Sequence, residues 1–396
     1  MERHNKKVIG FNIIEVIVII IISALTSMIA TGIITTGNSR TSSGDTYAEL
    51  LQDDSIKSFL DVYSDVVNGY YKDVDKNKAV ESAISGMMQY LGDKYTTYLN
   101  DAESSNLTSS LSGTYKGIGI AIKEGAIIEE VFDNSPAKEV GLQKDDKIIA
   151  INDENVENKP LIDITSKIKT SNSKIKLTVL RGNETLDVEV LVKELNKPVI
   201  SSKTLDYNNS KVGYIYIQTF SSTVHEQVRQ SLNKLEQENI SGLIIDLRDN
   251  GGGYLTAAED IASQFIEKGK KIYSLETKDE IREIKDETDE KKYYNVVVLT
   301  NEGTASASEI LASALKESYG AKIVGKKTFG KGKVQQVKNL SDGTMVKYTT
   351  AKWLTPSGNC VDGSGITPDV EIDIEKNEGQ ITNDTQLERA MEVLFE

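Results

Sequence analysis

The segment NVVVLTNEGTASASEILASALKES, residues 295–318, has the pattern of a buried strand that leads directly into a helix. Its four consecutive apolar residues, 296–299, are typical of a strand covered on both faces. GLIIDLR at 242–248 and AKIVG at 321–325 are similarly apolar, and helical patterns separate the three segments. Strands that alternate with helices in this way form a largely parallel, helix-covered sheet. The sequence therefore predicts an α/β fold for this part of the chain.

Ser306 stands where the strand of this segment gives way to the helix. In parallel sheets, ligands bind beyond the carboxyl ends of the strands. The positive end of the helix dipole also favours an anionic intermediate. Ser306 is therefore a candidate nucleophile. The alternative is structural, because Ser306-x-x-Glu309 is the pattern of a capping box, in which a serine only caps the helix.

A lysine in the segment FGKGKVQ, residues 329–335, is the candidate base. The chain has only two histidines, and the first, His4, lies in a short tail ahead of an apolar run. Lys331 follows Ser306 by 25 residues and lies between two glycines, where the backbone can approach another element closely. A lysine acts as a base only if burial or a nearby cation lowers its pKa from about 10.4.

The residues around Lys331 are consistent with more than one role for this segment. Gln335 lies four residues on, where it can hold the lysine by a hydrogen bond. Five further lysines nearby leave open the alternative of a solvated glycine turn. Gly325-x-x-x-x-Gly330-Lys331 matches most of a phosphate-binding loop, but Gly332 replaces the Ser or Thr that binds magnesium. Nucleotide binding is therefore disfavoured.

Two glycine-rich segments offer backbone N–H groups. DLRDNGGG, residues 246–253, ends a predicted strand, and its N–H groups can point at an oxyanion. YKGIGI, residues 115–120, can cradle a peptide's terminal carboxylate while the peptide pairs as an added strand. The alternatives are a tight turn and an ordinary edge strand. Residues 113–195 are predicted to contain two hairpins, one turning at Glu124-Gly125 and the other at Gly182-Asn183. The order of strands and helices over these residues resembles that of a PDZ domain.

Composition narrows the classes of partner. The chain of 396 residues has a formal net charge of −14 and no strongly basic patch beyond its N-terminus, which disfavours nucleic acid. Its one cysteine, Cys360, excludes an intrachain disulfide and a cysteine-based metal cluster. His225 lies in a helical pattern with no second histidine nearby. We therefore expect no metal and no organic cofactor.

The N-terminus predicts a membrane anchor. Residues 16–35 contain no charged residue, and a run of about 20 apolar residues crosses a bilayer as one helix. Basic residues before the run favour a cytoplasmic N-terminus, with the rest of the chain outside. A cleaved signal peptide is the alternative. The polar stretch after the anchor, 36–46, is typical of a linker, and the helical pattern at 47–91 can pack on the main body or on a second subunit.

Together these motifs resemble the C-terminal processing peptidases, a family of PDZ-containing, tail-specific serine peptidases with a Ser–Lys dyad. The resemblance covers about Asp45 to Ile374. The motifs that carry it are LGDKYTTYL (91–99), GIGI (117–120), SPAKEVGLQKDDKI (135–148), VGYIYIQTF (212–220), GLIIDLRDNGGG (242–253), GTASASEI (303–310), GKKTFGKGKVQ (325–335) and TPSGNCVDGSGITPDVEI (355–372).

The resemblance implies a role for each site residue. Ser306 would be the nucleophile, Lys331 the general base and Gln335 the partner of the lysine. The backbone N–H groups of Gly252 and Ala307 would form the oxyanion hole. The peptide-binding loop would consist of Gly117, Ile118, Gly119 and Ile120.

Two positions depart from the family pattern. Gly251 stands where the family usually has proline, and Lys169-Thr170 replaces an Arg-Gly pair after the PDZ helix. In the family, that arginine is implicated in coupling peptide binding to activation. The residue implicated in that coupling is therefore absent from this position of the chain.

These observations predict a mixed α/β multidomain protein. The expected parts are a cytoplasmic tail (1–7), a transmembrane signal-anchor (8–35), a linker (36–46), an N-terminal helical segment (47–103), a PDZ domain (104–195), a serine peptidase core (196–376) and a C-terminal segment (377–396). The predicted function is that of a membrane-anchored serine endopeptidase acting on protein C-termini outside the cytoplasm, with a possible homodimer through the helices at 47–91. The alternative is an inactive scaffold that binds C-termini.

Overall fold

The computed structural model describes residues 48–171, 173–340, 342–377 and 380–396. The predicted tail, anchor and linker therefore lie outside the described residues. Within the described ranges, no helix is long and apolar enough to span a bilayer. The chain divides into two compact units, Met1–Ala83 and Ile84–Glu396.

Helices α1 (Asp54–Gly69) and α2 (Lys76–Tyr90) account for most of the described part of residues 48–90. Helix α1 begins after Asp53, whose side chain accepts a hydrogen bond from the Ser55 N–H, as N-cap residues do. Neither helix contains a buried residue, and several apolar side chains of α1, among them Phe59 and Val62, are exposed. The helical prediction for this segment is thus matched by two amphipathic helices.

The β-rich domain follows a short strand, β1 (Thr97–Leu99), and a helix, α3 (Asp101–Ser112). Its sheet has the order β3-β4-β5-β7-β8, with β6 beside β5, and strands β2 and β9 form a separate pair. The elements are β2 (Thr114–Gly117), β3 (Ile120–Lys123), β4 (Ile127–Val131), α4 (Pro136–Glu139), β5 (Lys147–Ile151), β6 (Glu154–Asn155), α5 (Leu161–Thr170), β7 (Lys174–Arg181), β8 (Glu184–Leu191) and β9 (Lys193–Asn196). The two hairpins turn where the sequence predicts.

The main sheet has the order β10-β11-β12-β15-β16-β19, and only the β10–β11 pair is antiparallel. Alternate residues of β15 face different cores. Val296 and Val298 pack with the helices on one face, whereas Val297 and Leu299 pack with the C-terminal helix on the other. Burial on both faces explains the unbroken apolar run in the sequence.

The elements of this sheet and its helices are as follows: β10 (Ile200–Tyr207), β11 (Ser210–Ile217), α6 (Val224–Gln237), β12 (Gly242–Asp246), α7 (Leu255–Ala262), β15 (Asn295–Thr300), α8 (Ala307–Ala314) with a π-helical turn (Leu315–Tyr319), β16 (Lys322–Gly325), β19 (Val370–Glu371), the hairpin β20 (Glu375–Asn377) and β21 (Gln380–Asn383), and α9 (Thr385–Leu394). Helix α9 covers the second face of the sheet, so the packing of the core continues past residue 376, where the sequence prediction ended it.

A second sheet has the order β1-β18-β13-β14, and β17 also pairs with β18. Its strands are β13 (Lys271–Glu276), β14 (Ile281–Lys285), β17 (Lys333–Asn339) and β18 (Met345–Leu354), together with β1. The sequence predicts a solvated hairpin or loop at 267–292. The hairpin is confirmed, because β13 and β14 pair antiparallel. The prediction that it is solvated is wrong for β13, because Ile272, Tyr273 and Ser274 are buried and the strand also pairs with β18.

Candidate active site

Ser306 occupies a strained turn between β15 and α8. Its φ of 58° and ψ of −119° lie in a region that residues with a side chain rarely adopt. The flanking residues hold this conformation, because the carbonyl of Asn250 accepts from the Ala305 N–H at 3.0 Å and from the Ser308 hydroxyl at 2.9 Å. Strain of about 1–3 kcal/mol persists only where the surroundings over-determine it. The turn is therefore built to present Ser306.

Glu309 joins the serine turn to the lysine turn. Its fully buried carboxylate accepts from the N–H groups of Ser306 (2.8 Å), Gly330 (2.8 Å) and Lys331 (2.9 Å), and from the hydroxyl of Thr328. A buried carboxylate is tolerated only when it is hydrogen-bonded in this way. The sequence pattern predicts Glu309 as part of a helix cap. The bond from the Ser306 N–H belongs to such a cap. The other three bonds do not, because their donors lie in the segment that contains Lys331.

Lys331 is half-buried, and its backbone is fixed on both sides of the residue. Its N–H donates to Glu309, and its carbonyl accepts from the indole of Trp353 at 2.9 Å. Gly332 has to be a glycine, because a Cβ there would lie 2.7 Å from the backbone nitrogen of Asp362. This agrees with the close backbone approach that the glycine flanks predict.

The surroundings of the Lys331 ammonium lower its pKa. Burial is the main cause, the positive charge of Lys347 adds to it, and the carboxylate of Glu309 opposes both. The ring of Tyr95, whose centroid is 5.3 Å from Nζ, also attracts the charged form. The net direction is the one that a lysine base requires.

One cavity of about 660 Å³ brings the predicted catalytic side chains together, because Ser306, Lys331 and Gln335 all line it. Apolar side chains of α3, Leu107 and Leu111, form part of its wall. Other lining residues come from β17, β18 and the start of α7, namely Val334, Val337, Met345, Lys347 and Leu255. The cavity therefore combines apolar walls with a serine and three lysines, Lys331, Lys333 and Lys347.

Gln335 does not form the predicted hydrogen bond with Lys331 in this structure. Its amide donates to the hydroxyl of Thr349 at 3.4 Å, and that hydroxyl donates to the carboxylate of Asp93. A register shift between Val334 and Gln335 lies at the same point of the β17–β18 pair. Bulges of this kind re-aim side chains next to active sites. Gln335 therefore faces the cavity with its amide engaged elsewhere.

In the glycine loop after β12, the N–H group that is free to bind an oxyanion is not the predicted one. The Gly252 N–H donates to Oδ1 of the buried Asn250 at 2.9 Å, so it is occupied. Gly253, in contrast, lines the cavity, and within the described residues neither its N–H nor that of Ala307 has an acceptor. Gly252 itself lies close against the turn, since a Cβ there would be 2.9 Å from Cβ of Ser306. The geometry favours Gly253 with Ala307 as the pair of oxyanion donors.

The predicted peptide-binding loop lies at the end of the β-rich sheet. Ile118 is buried, its carbonyl accepts from the Ala137 N–H, and the Gly119 carbonyl accepts from the Phe132 N–H. Gly119 has a φ of +88°, and a Cβ there would lie 2.1 Å from Cβ of Ser135. Ile120 starts β3, the end strand of its sheet, so one edge of β3 has no strand partner in the described part of the chain.

Two further kinds of site were considered from the sequence, a metal site and a site that uses His225. In the described ranges, no group of three or more His, Cys, Asp or Glu residues is placed to hold a metal ion. His225 lies 3.9 Å from the carboxylate of Asp260, both partly exposed, and lines a separate polar cavity.

A helix-covered sheet that brings a serine and a lysine into one cavity, joined to a β-rich domain with a free strand edge, is the architecture of a PDZ-linked serine peptidase. Residues 211–372 match peptidase family S41, residues 107–180 match the PDZ domain, and residues 24–103 match the activating protease CtpB N-terminal domain. The chain therefore contains a peptidase family S41 domain and a PDZ domain, and the resemblance to the C-terminal processing peptidases is confirmed.

Similar proteins are also named as serine proteases. Probable CtpA-like serine proteases of Staphylococcus aureus and Staphylococcus epidermidis are each 34% identical over 330 residues, which is 81% of this chain. The chain spans 66% of the length of these relatives. Among solved structures, the photosystem II D1 C-terminal processing protease is 25% identical with a TM-score of 0.50, and the match covers 88% of this chain and 92% of that one.

Proposed function

We propose that this chain is a membrane-anchored serine endopeptidase that processes the C-termini of proteins. One observation carries the proposal: the turns of Ser306 and Lys331 are tied to the same buried carboxylate and contribute to the same cavity. A carboxylate that served only as a helix cap would have no reason to bind the lysine turn as well.

In the proposed mechanism, Oγ of Ser306 attacks the scissile carbonyl while Nζ of Lys331 accepts the hydroxyl proton. The N–H groups of Gly253 and Ala307 stabilise the oxyanion that forms. The Lys331 ammonium then gives its proton to the leaving amine, and the acyl-enzyme remains. Water, deprotonated by Lys331, hydrolyses the ester and frees Ser306. The lowered pKa of Lys331 supports this role, because the neutral amine is the form that accepts a proton.

The proposed substrate is a protein or peptide captured by its C-terminus. The free edge of β3 supports pairing with an added strand, and the loop Gly117–Ile120 lies at the start of that edge. The carboxylate would bind the backbone N–H groups of the loop. An unfolded tail bound there would supply the segment that enters the cavity.

Attachment and assembly are part of the same proposal. The uncharged run within residues 8–35 supports a transmembrane anchor in the lipid bilayer, with the peptidase outside the cytoplasm. Exposed apolar residues of α1, such as Phe59, Leu60 and Val66, support a homodimer through the helices at 47–91.

The runner-up is a scaffold that binds C-termini without cleaving them. It is favoured by the bond between Gln335 and Thr349, which leaves the lysine without its predicted partner. The two functions differ in turnover, since only the peptidase releases products.

The test compares wild type with Ser306→Ala on an internally quenched peptide that ends in apolar residues. We expect the rate of cleavage to fall by at least about 10³-fold, because the nucleophile is lost. Binding of the same peptide, measured by fluorescence anisotropy, and the thermal unfolding midpoint should stay the same. Full cleavage by Ser306→Ala, or none by wild type at high concentration, would refute the proposal.

A further inference from the structure

Lys347 lies on the face of the β17–β18 pair that borders the candidate catalytic cavity. Val337 of β17 is directly opposite Lys347, and Asn339 is directly opposite Met345. Opposite residues of an antiparallel pair share a face, as do residues two apart in one strand. All four of these residues line the cavity. Lys347 is half-buried, and the other three side chains of the group are uncharged.

The three lysines of the cavity are not equivalent. Lys331 is the proposed base. The ammonium of Lys333 donates to the carboxylate of Asp93 at 3.0 Å. Lys347 forms neither an ion pair nor a side-chain hydrogen bond with any residue that the structure describes. Its charge is therefore the one that is available to a bound molecule.

The lining of the cavity offers no carboxylate to balance these charges. Among the described residues, neither aspartate nor glutamate lines it, although the whole chain has 60 acidic and 46 basic residues. Glu309 lies close to Lys331, but it is fully buried and does not line the cavity. The walls near Lys347 include the apolar side chains of Val337 and Met345. An ammonium that is partly removed from water attracts an anion more strongly than an exposed one does.

We propose that Lys347 binds the carboxylate of an aspartate or glutamate side chain that lies close to the scissile bond of the substrate. This inference rests on the proposed peptidase function, and it names the preferred substrates as segments with an acidic residue near the cleavage site. The apolar walls beside Lys347 can accept the methylene groups of such a side chain while its carboxylate reaches the ammonium. This selection takes place in the cavity, separately from capture of the C-terminus by the PDZ domain.

The first experiment uses the wild-type full chain and pairs of C-terminally amidated peptides, in which one position at a time near the scissile bond is Glu or Gln. The two side chains have nearly the same size, so the ratio of their kcat/KM values isolates the effect of the charge. At the position that faces Lys347 we expect a ratio of about five- to thirtyfold in favour of Glu, because a charge-assisted hydrogen bond forms. The ratio should shrink as the salt concentration rises.

The outcomes of this scan are distinguishable. Ratios near one at every position would overturn the inference and leave the peptidase function intact. A preference seen only when the peptides carry a free terminal carboxylate would also overturn it, because the cavity would then bind the end of the chain. Failure of the neutral parent peptide to be cleaved would instead contradict the proposed function itself.

The second experiment repeats the ratio with variants of Lys347. Lys347→Met removes the charge and keeps a long apolar stem, so the ratio should fall close to one, and Lys347→Glu should reverse it. Each ratio is measured on one enzyme, so a changed pKa of Lys331 affects both peptides alike. The control is Lys338→Met, at an exposed position of β17 that does not line the cavity, and it should keep the wild-type ratio. A wild-type ratio in Lys347→Met, or an equal loss in the control, would overturn the inference.

The third experiment follows the pKa of the base. The charge of Lys347 lowers the pKa of Lys331, so a carboxylate bound to Lys347 offsets that effect and raises the pKa in the complex. The other charges nearby, Glu309 and the pair of Lys333 with Asp93, are the same for both peptides. The single-turnover rate at saturating enzyme should therefore rise at higher pH for the Glu peptide than for the Gln peptide, by less than about one unit. The midpoint of kcat/KM, which reports the free enzyme, should be the same for both. Identical single-turnover profiles would mean that the carboxylate does not bind at Lys347.

Discussion

Two glycine loops of this chain are candidates for binding negatively charged oxygen, and they are built differently. The loop Gly117–Ile120 lies at the end strand of its sheet, and its carbonyls are engaged by Ala137 and Phe132. The loop Asn250–Gly253 of the peptidase core, the core loop, is held from within, because the side chain of the buried Asn250 accepts a hydrogen bond from the Gly252 N–H. The first would receive a carboxylate that is charged before it arrives, and the second an anion that exists only during the reaction.

The difference shows what each task demands. A permanent carboxylate can be bound at the end of a free strand edge, because the peptide that carries it also pairs with the strand. A transient oxyanion is stabilised most by donors that are already in place and need no reorganisation. The core loop is accordingly fixed at both ends. At its start, the side-chain amide of Asn250 donates to the Ile217 carbonyl at 2.7 Å. At its end, the Phe220 N–H donates to the Gly252 carbonyl, and the Tyr254 N–H donates to the Phe220 carbonyl.

Among the variants that separate the two loops, the largest effect is expected from Gly253→Ala, which disrupts the core loop alone. Gly253 has a φ of +150°, and a Cβ there would lie 2.2 Å from the Phe220 carbonyl oxygen, so the loop has to shift. Loss of one oxyanion donor costs roughly 10²- to 10³-fold in kcat. Steady-state kinetics should show this loss, while binding of a C-terminal peptide to the other loop stays unchanged.

Gly251→Ala is the matched control for that variant. No atom lies within 4 Å of the Cβ that it would add. We expect kcat within a few-fold of wild type. If Gly251→Ala were as damaging as Gly253→Ala, the loop would be sensitive to any added side chain, and the assignment of Gly253 as a donor would lose its support.

A smaller effect is expected from Gly119→Ala, which breaks the loop of the PDZ domain. The added Cβ would clash with Ser135 in a backbone conformation that already disfavours alanine. Affinity for a C-terminal peptide should drop about tenfold or more by anisotropy, whereas cleavage of a short C-terminally amidated peptide should persist. Gly182→Ala, in the hairpin turn of the same domain with open space around it, controls for general destabilisation. Equal losses of affinity in both variants would count against the loop.

The smallest effect is a shift in the pH dependence of kcat/KM. It distinguishes the two loops, because only the core loop acts together with a titrating lysine, Lys331. In the proposed mechanism, kcat/KM rises with pH as Lys331 loses its proton. The charge of Lys347 helps to lower the pKa of Lys331, so Lys347→Met should raise that pKa and move the rise to higher pH, by less than about one unit.

The exposed Lys338, which does not line the cavity, provides the control for Lys347. The pH profile of Lys338→Met should match that of wild type, and peptide binding to the PDZ domain should not follow the profile in any variant. An unchanged midpoint in Lys347→Met would mean that its charge does not reach Lys331.

Local patterns predicted most of the elements. Apolar runs and turn residues identified the hairpins of the PDZ domain and the strands of the main sheet, because those signals lie within a few residues of one another. The pairing of β13 with β18 was missed, since the two strands are far apart in the chain and β13 is followed by a charged stretch that masks its burial. The packing of α9 on the second face of the sheet is another long-range contact of this kind.

The candidate site divides in the same way. Spacing and residue type identified Ser306 and Lys331, which the structure places in one cavity. The sequence does not show which of Gly251, Gly252 and Gly253 has a free N–H, because that depends on the pairing of Gly253 with Phe220, which is distant in the chain. Glu309 was overlooked for a different reason: the capping-box pattern already accounted for a glutamate at that position, so nothing pointed to its second set of bonds.

Those bonds of Glu309 also affect how the site fluctuates. Three backbone amides from two separate turns, those of Ser306, Gly330 and Lys331, donate to one carboxylate with no exposed surface. None of the three can exchange its hydrogen with solvent until that carboxylate is disturbed, and a disturbance that frees one weakens the hold on the others. The nucleophile turn and the base turn should therefore open as one cooperative unit on the timescale of hydrogen exchange.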